Sequence, residues 1–523
     1  MRSVVFPRWR VKAVAKWCHR LQSEIVRKQT TTEAPMTNMR AQTANDNSEM
    51  TADEREAHAA FQRVVERRQG SNARFAETEE ISLRLGNELC KEVQRRDLER
   101  RATQWGDADL EINGTRYRFH ADGGATYHGL CGSFWIERAT YRQVGVHNGP
   151  TVVPLELDAG LLHGATPALA FSLSEGYAQG PSRQKHKALL SAHRVPPSRS
   201  TTERIAKALG GEIHDALPRI EPVVRAKETL PEGVFSLALG LDRTSAPMEE
   251  KLEGAALANH ESRRTKPYIR EAPAPVEVNY RMAYVGTVSL LDVDGRAMRT
   301  WRYGASAEEG PVAIVDRMMA DVRHTLSLDE KLKVVLVQDG AREMWGVMAA
   351  ALENTVGTRG STWHEAIDRH HLAERLASVL TIAKENETED SPKVTLKEWN
   401  ERLEADDGGI DTIHADLIAI REFTEVESAA RKKLDDHITY LKNNNHRMRY
   451  ASLRKLGLPV GSGPTEGACK SLVMVRAKGC GQRWHPEGLE AVLTLRGLDM
   501  SERLAPVFNI FAREKVATIR LAA

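Results

Sequence analysis

Apolar positions along the chain change period several times, and each change marks an element. In the heavily charged stretch 52–101, Phe61, Val64 and Val65, then Leu83, Leu85, Leu89 and Val93, recur at helical intervals. They predict two helices parted near Gly70-Ser71-Asn72, a packing or oligomerisation element. Alternation takes over at residue 110. Residues 110–119 alternate around Asn113-Gly114, a pair favoured in tight hairpin turns, and 132–144 form an aromatic, β-branched run with Arg138 and Arg142 on one face. This small β module reads as a scaffold by default, with a DNA-facing surface as the alternative. Residues 186–210 predict a helix, a Pro-Pro-Ser turn and a second helix from near Ser200. Its cations include Arg199, Arg204 and Lys207, so it fits a helix-turn-helix as well as two ordinary packed helices.

From residue 231 the pattern becomes that of a buried sheet. Residues 234–242 are an apolar run ending in Asp242, followed by a charged, proline-rich stretch, 243–277, that reads as a loop. Residues 280–292 and 296–306 predict a strand-turn-strand around Gly295, and 311–326 an amphipathic helix with proline in its first turn. A second core strand, 333–340, ends in Asp339-Gly340. A helix, a short strand at 361–368 and a further helix follow. The order β-β-β-α-β-α-β-α predicts a ribonuclease H-like mixed α/β sheet with helices on both faces. Residues 396–440 then carry only helical spacing, which places an all-helical insertion inside the α/β unit. The expected organisation is a basic arm and linker at 1–51, a charged helical region at 52–105 and a DNA-binding region at 106–230. The catalytic core is expected at 231–385 and 456–500, the insertion at 386–455 and a tail at 501–523.

Charge sharpens one segment. Residues 437–484 hold nine cations, Lys442, Arg447, Arg449, Arg454, Lys455, Lys470, Arg476, Lys478 and Arg483, and one acid, Glu466. A lone carboxylate in a basic field suits a metal ligand acting on a polyanion; a first-turn glutamate favoured by the helix dipole explains it equally well. The whole chain, by contrast, is nearly neutral at +2, with 41% apolar and 28% charged residues, as in a globular protein. Its five cysteines stand apart, without CxxC spacing, which fits a reducing cytoplasm and excludes a disulfide scaffold or zinc finger. No apolar run approaches the roughly 20 residues of a membrane span. The basic first 30 residues read as a flexible arm, or as an over-long start with Met36, Met39 or Met50 as the true one.

Asp242 and Asp339 close core strands, and Glu466 opens a helix. Acids at the ends of neighbouring strands gather at one sheet edge, and a helix across that edge adds a third. Such a cluster repels itself unless divalent cations relieve it. Two Mg²⁺ or Mn²⁺ ions about 3.5–4 Å apart activate a water or a 3′-hydroxyl and stabilise the leaving oxygen of a phosphodiester. The plain alternative is that acids follow strands because turns begin there. Asp368 and His371, at i and i+3, share a helical side. Arg476, Lys478 and Arg483 could grip phosphate and Trp484 could stack on a base, unless Trp484 is simply core. Arg447 and Arg449, after three asparagines, could contact a DNA backbone or belong to a loop that ends a helix.

Several segments together resemble the DDE transposases of bacterial insertion sequences, especially the ISKra type, distantly similar to Mutator-like elements. They are YHGLCGSFWIERATYRQ, STTERIAKALG, VFSLALGLD, VVLVQDG, Asp368-Arg369-His370-His371 and the GSGPTEGACK block with its downstream basic residues and Arg483-Trp484; they span residues 123–496. The last block is the most specific. Arg243 departs from the small residue that often follows the first aspartate. The resemblance implies a metal-binding triad of Asp242, Asp339 and Glu466, with Asp368 and His371 as an auxiliary pair. It also implies a transposase that binds the ends of its element, cleaves DNA and transfers strands as a homodimer or larger synaptic complex. A ribonuclease H-like nuclease without strand transfer, or a domesticated inactive DNA-binding regulator, are the alternatives.

Overall fold

Leu237, Leu239 and Leu241 point to one side of a strand and Ala238, Gly240 and Asp242 to the other, and this alternation organises the molecule around them. The computed structural model describes residues 75–522, apart from 193, 263–274, 358–362, 387–390 and 426–427, together with three helical positions at 55, 59 and 62. The expected basic arm, and all but those three positions of the first of the two helices expected in 52–101, therefore lie outside the described residues.

The first described helix, α1 (Phe75–Ala102), leads into an antiparallel sheet. Its strands are β1 (Leu110–Ile112), β2 (Thr115–Gly129), β3 (Gly132–Gln143) and β4 (Thr151–Val152). The β1–β2 turn is the expected Asn113-Gly114, with both residues at positive φ, 49° and 81°. A left-handed pair of this kind matches the strand twist, and glycine takes it without a Cβ penalty. Helices α2 (Pro154–Asp158), α3 (Pro167–Gln179), α4 (Ser182–Ser191) and α5 (Arg199–Arg225) follow. The Ser198 side chain caps α5 by accepting from the Thr201 N–H. At 27 residues α5 is no short recognition helix: Ile205, Leu209, Ile213, Leu217 and Ile220 are buried in a helical layer.

The second sheet is mixed. It contains β5 (Ser236–Lys251), β6 (Val276–Leu291), β7 (Ala297–Ala305), β8 (Lys333–Gln338) and β9 (Trp363–Ile367), in the order β7-β6-β5-β8-β9. Strands β5, β8 and β9 pair in parallel, and β6 pairs antiparallel with both β5 and β7. Short helix α6 (Gly254–Ser262) follows β5. The loop expected at 243–277 is thus corrected. β5 and β6 continue as a two-stranded arm, Lys251 pairing with Val276, because alternation survives among the charged residues there.

Helices α7 (Gly310–Leu328), α8 (Arg342–Thr355) and α9 (Arg369–Glu385) complete this half of the chain. Leu237, Leu239, Val334 and Leu336 pack on Ile314, Met318, Met344 and Met348 from α7 and α8. The helical insertion comprises α10 (Leu396–Ala405), α11 (Gly409–Glu422) and α12 (Ala429–Asn444). Its buried Trp399, Leu403, Ile413 and Leu417 join the same core, so it is not a separate body.

The opposite face is covered later in the chain. Ala238, Val335, Val337 and Ala366 meet Leu453 of α13 (Tyr450–Lys455) and Leu458. Ala246, Met248, Ala283 and Val285 meet the segment formed by α14 (Gly463–Ala468), a π-helical turn at Cys469–Met474 and α15 (Val475–Ala477). Helices α16 (Pro486–Met500) and α17 (Leu504–Glu514) pack with α3 and α5. The expected C-terminal tail also differs: β10 (Ile519–Leu521) pairs antiparallel with β1.

Candidate active site

Strand register brings the aspartates together. The β5–β8 pairing ends at Leu239 beside Leu336; Asp242 and Asp339, the latter just past the end of β8, each lie three residues further on (242 − 239 = 339 − 336), near enough that the Asp339 charge acts on Asp242. Gln338 lies beside Ile367 of β9, so the next step sets Asp339 beside Asp368. Neighbouring strands are about 4.8 Å apart. By alternation all three aspartates share the face of Ala238, Val335, Val337 and Ala366, the face that α14 covers.

Helix α14 approaches that face closely because Gly240 has no side chain. A Cβ there would lie 2.1 Å from Thr465 Oγ1 and 3.1 Å from the Val337 carbonyl oxygen. Thr465 is fixed in turn by a 2.7 Å hydrogen bond between its hydroxyl and that of Thr287. The next residue is Glu466. Its N–H donates to the Ser462 carbonyl at 3.0 Å, and the Ser462 hydroxyl lies 3.4 Å from Glu466 Oε1. Immediately afterwards the helix widens into the π turn, an irregularity frequent at functional sites. This turn carries Cys469, whose thiol donates to Asp242 Oδ2 at 3.3 Å.

The carboxylates differ in environment. Asp242 is partly buried, with Oδ1 accepting the Arg243 N–H at 2.7 Å. Burial pushes its pKa above the usual carboxylate range; the Arg243 and Cys469 donors oppose this, the negative charge of Asp339 adds to it and His371 opposes it. Asp339 Oδ1 accepts the Ala341 N–H at 3.0 Å, and its backbone carbonyl accepts Trp345 Nε1–H at 2.5 Å. Asp368 is 1% exposed and fully engaged. Oδ1 accepts the His370 and His371 N–H groups at 2.7 and 2.8 Å, capping α9, while Oδ2 accepts the Ser462 N–H. Burial alone would raise its pKa, but these backbone donors outweigh it and hold the carboxyl ionised below its ordinary range.

His371 Nδ1 lies 3.3 Å from Asp368 Oδ1 and 3.8 Å from Glu466 Oε1, yet is buried without a hydrogen bond. Ligand atoms of Asp368, His371 and Glu466 all lie within 4.8 Å of one another. With its oxygens occupied by backbone donors, Asp368 serves better as the strut that ties α9 to the Glu466 turn. Asp242 and Asp339 stand outside that group, and Asp242 already accepts at both oxygens. An oxygen-rich set with self-repelling carboxylates fits a hard divalent cation such as Mg²⁺ or Mn²⁺.

The basic residues fare unevenly. Lys470 is exposed, its Nζ 4.0 Å from Glu466 Oε2, and Arg199 and Arg204 are exposed on the first turns of α5. Lys478 donates to Thr244 Oγ1 at 2.9 Å, Arg483 pairs with Glu249 at 2.6 Å, and Lys207 lies 3.6 Å from Glu487. Four of the residues expected to contact DNA have internal partners. Arg476 is buried; it donates to the Tyr177 carbonyl and sits 5.1 and 4.8 Å from the Tyr177 and Trp484 ring centres. Burial pulls its pKa down to about 10. Trp484 is the other half of that stack, donating Nε1–H to the Ala477 carbonyl, while its backbone bridges to Pro247 and Glu249. Arg447 is paired with Glu365 at 2.6 Å and stacked on Trp345. Arg449 donates to the Asp407 carbonyl and to Asn445. In each case a basic sequence context concealed an internal acceptor.

Sequence reasoning passed over Cys469 and Ser462. Both stand at helical spacing from Glu466, three residues after and four before, which was the available signal. No protein-family model matches the chain, and no curated protein matches it in sequence.

Proposed function

We propose that the protein is a metal-dependent phosphodiester-cleaving and strand-transferring enzyme, a DDE-type DNA transposase with a ribonuclease H-like core. One observation carries this reading: three parallel strands bring Asp242, Asp339 and Asp368 into one row, on the face to which α14 presents Glu466. The order β7-β6-β5-β8-β9, with β6 alone running against the other strands, supports the ribonuclease H-like core. The motif resemblance and the exposed Lys470 beside Glu466 support DNA as the substrate.

Asp242, Asp339 and Glu466 would hold two Mg²⁺ or Mn²⁺ ions, which when bound supply an activated water or 3′-hydroxyl and neutralise charge on the phosphate. The chain's own groups orient that set. The Arg243 N–H and the Cys469 thiol fix the Asp242 carboxylate, and Asp368 clamps the turn that carries Glu466. Exposed Lys470 is placed to meet a phosphate oxygen.

The test is cleavage and strand transfer of DNA carrying the element's own flanking ends, in Mg²⁺, by wild type and Glu466→Gln. Expected are cleavage and joining by the wild type and neither by the variant, with DNA binding retained and weakening steeply with salt. Cleavage without joining of a pre-cut 3′ end would favour a nuclease. Binding without any Glu466-dependent cleavage would favour a regulator.

A further inference from the structure

The β5–β6 arm outruns its neighbour. β6 pairs with β5 along its whole length, but its other edge meets β7 only from Tyr284 onward. Among the described residues, 276–283 therefore have a strand on one side and none on the other. In an antiparallel pair alternate backbone N–H and C=O groups point outward, so this edge presents unpaired donors and acceptors. Natural edges are usually blunted by lysine, proline or a bulge. This one instead shows Val278, Tyr280 and Met282, alternate residues on one face, at 42%, 68% and 44% exposure.

Its charges are arranged in a particular way. On the other face Glu277 lies opposite Glu250 of β5, with the Asn279 amide donating to both carboxylates at 3.0 and 2.7 Å. Arg281 donates to Glu250 at 2.8 Å. An antiparallel copy of the same strand, centred on Asn279, would set Glu277 against Arg281 twice, Val278 against Tyr280 twice, and Val276 against Met282 twice. Opposite charges and apolar pairs directly across a ladder stabilise it, and like charges oppose it. Each Arg281 would then sit between its own Glu250 and the copy's Glu277.

We infer that the free edge of β6 is a twofold interface, at which two copies of this chain join their arms into one continuous sheet by antiparallel pairing about Asn279. A second copy is favoured over a foreign strand because the segment is complementary to itself in both charge and apolar pairing. A closed twofold contact also occupies the edge in both copies, leaving none to propagate. The inference does not rest on the proposed chemistry, and its test needs neither DNA nor metal.

The full-length protein is followed by sedimentation velocity across micromolar concentrations. Glu277→Arg, which sets arginine against arginine twice, is expected to weaken dimerisation at least tenfold without lowering the thermal midpoint. Glu277→Arg combined with Arg281→Glu should restore it. Asn279→Cys, the one position that faces itself, should form a disulfide-linked dimer under mild oxidation faster than wild type or Val278→Cys. A wild type that stays monomeric throughout, a dimer indifferent to Glu277→Arg, or a double variant no better than the single overturns the inference.

Discussion

At the scale of single residues, Asp242 is where the protein works against its own stability. The carboxyl is half-buried beside Asp339, and burial holds its pKa above that of an unfolded chain. The sign follows directly. A folded state that binds the proton more tightly than the unfolded one is stabilised at low pH, and this increment is lost as pH rises through the raised pKa. At neutral pH the ionised Asp242 therefore destabilises the metal-free protein, and a cation at the proposed site would relieve it. Asp242→Asn is expected to raise the melting temperature of the metal-free protein at pH 7 and to abolish the further rise that Mg²⁺ or Mn²⁺ gives the wild type. Calorimetry with and without the cation reads both effects. A variant that melts lower without metal, or gains as much from Mg²⁺ as wild type does, would contradict this account of Asp242.

Among elements, the link that matters most joins α9 to the turn before α14. One buried carboxylate, Asp368, caps α9 through two N–H groups and holds the Ser462 N–H. Asp368→Ala removes a helix cap, at a cost of about 1 kcal/mol, and strands a buried donor for about 1–3 kcal/mol more. Under the proposed function, cleavage should fall further than stability does, because the freed turn is the one that carries Glu466. Single-turnover cleavage compared with urea midpoints separates the two, and a loss of activity no larger than the unfolded fraction would reduce Asp368 to a plain cap. How much of this was legible in the sequence depended on range. Hydrophobic period was enough for β8, α7 and α8, whose signals are local, and Asn113-Gly114 marked its turn through backbone chemistry alone. The β5–β6 arm was misread because charge and proline in 243–277 masked an alternation that is sustained only by pairing with a distant strand. Asp242, Asp339 and Glu466 could be picked out as acids ending strands or opening a helix. The internal acceptors of Arg447 and Arg476 could not, since Glu365 and the Tyr177 carbonyl lie far away in sequence.

Over the whole molecule, α5 and the residue before α17 are tied to α7 and β7 by ions rather than by apolar packing alone. Asp321 of α7 is fully buried and accepts from Arg225 of α5 at 2.7 Å, from both Nη atoms of Arg503 at 2.8 and 2.7 Å, and from the Tyr303 hydroxyl of β7. Arg503 also donates to Glu228 at 2.7 Å and lies 4.7 Å from the Trp301 ring centre. Replacing such a network wholesale by apolar groups is often tolerated, but removing one member leaves buried charge unpaired, at a cost of about 3–5 kcal/mol. Asp321→Asn deprives Arg225 and Arg503 of this shared carboxylate, leaving Arg503 only Glu228, and is expected to destabilise the protein by up to about that much at pH 7. The pH dependence gives a second handle. Burial alone would raise the Asp321 pKa, but Arg503 and Arg225 outweigh it and hold it below the ordinary value. A depressed pKa contributes stability above the unfolded carboxyl value of about 3.9, and that contribution is lost as pH falls through the folded value. The gap between wild type and Asp321→Asn in urea midpoint should therefore be widest near neutrality and close in acid, as the wild-type carboxyl takes up the proton that the amide mimics. Because α5, α7, β7 and the start of α17 share this one acceptor, the variant should lose hydrogen-exchange protection in all four together. Protection lost in α7 alone, or a gap that widens in acid, would mean that Asp321 does not hold them as a unit.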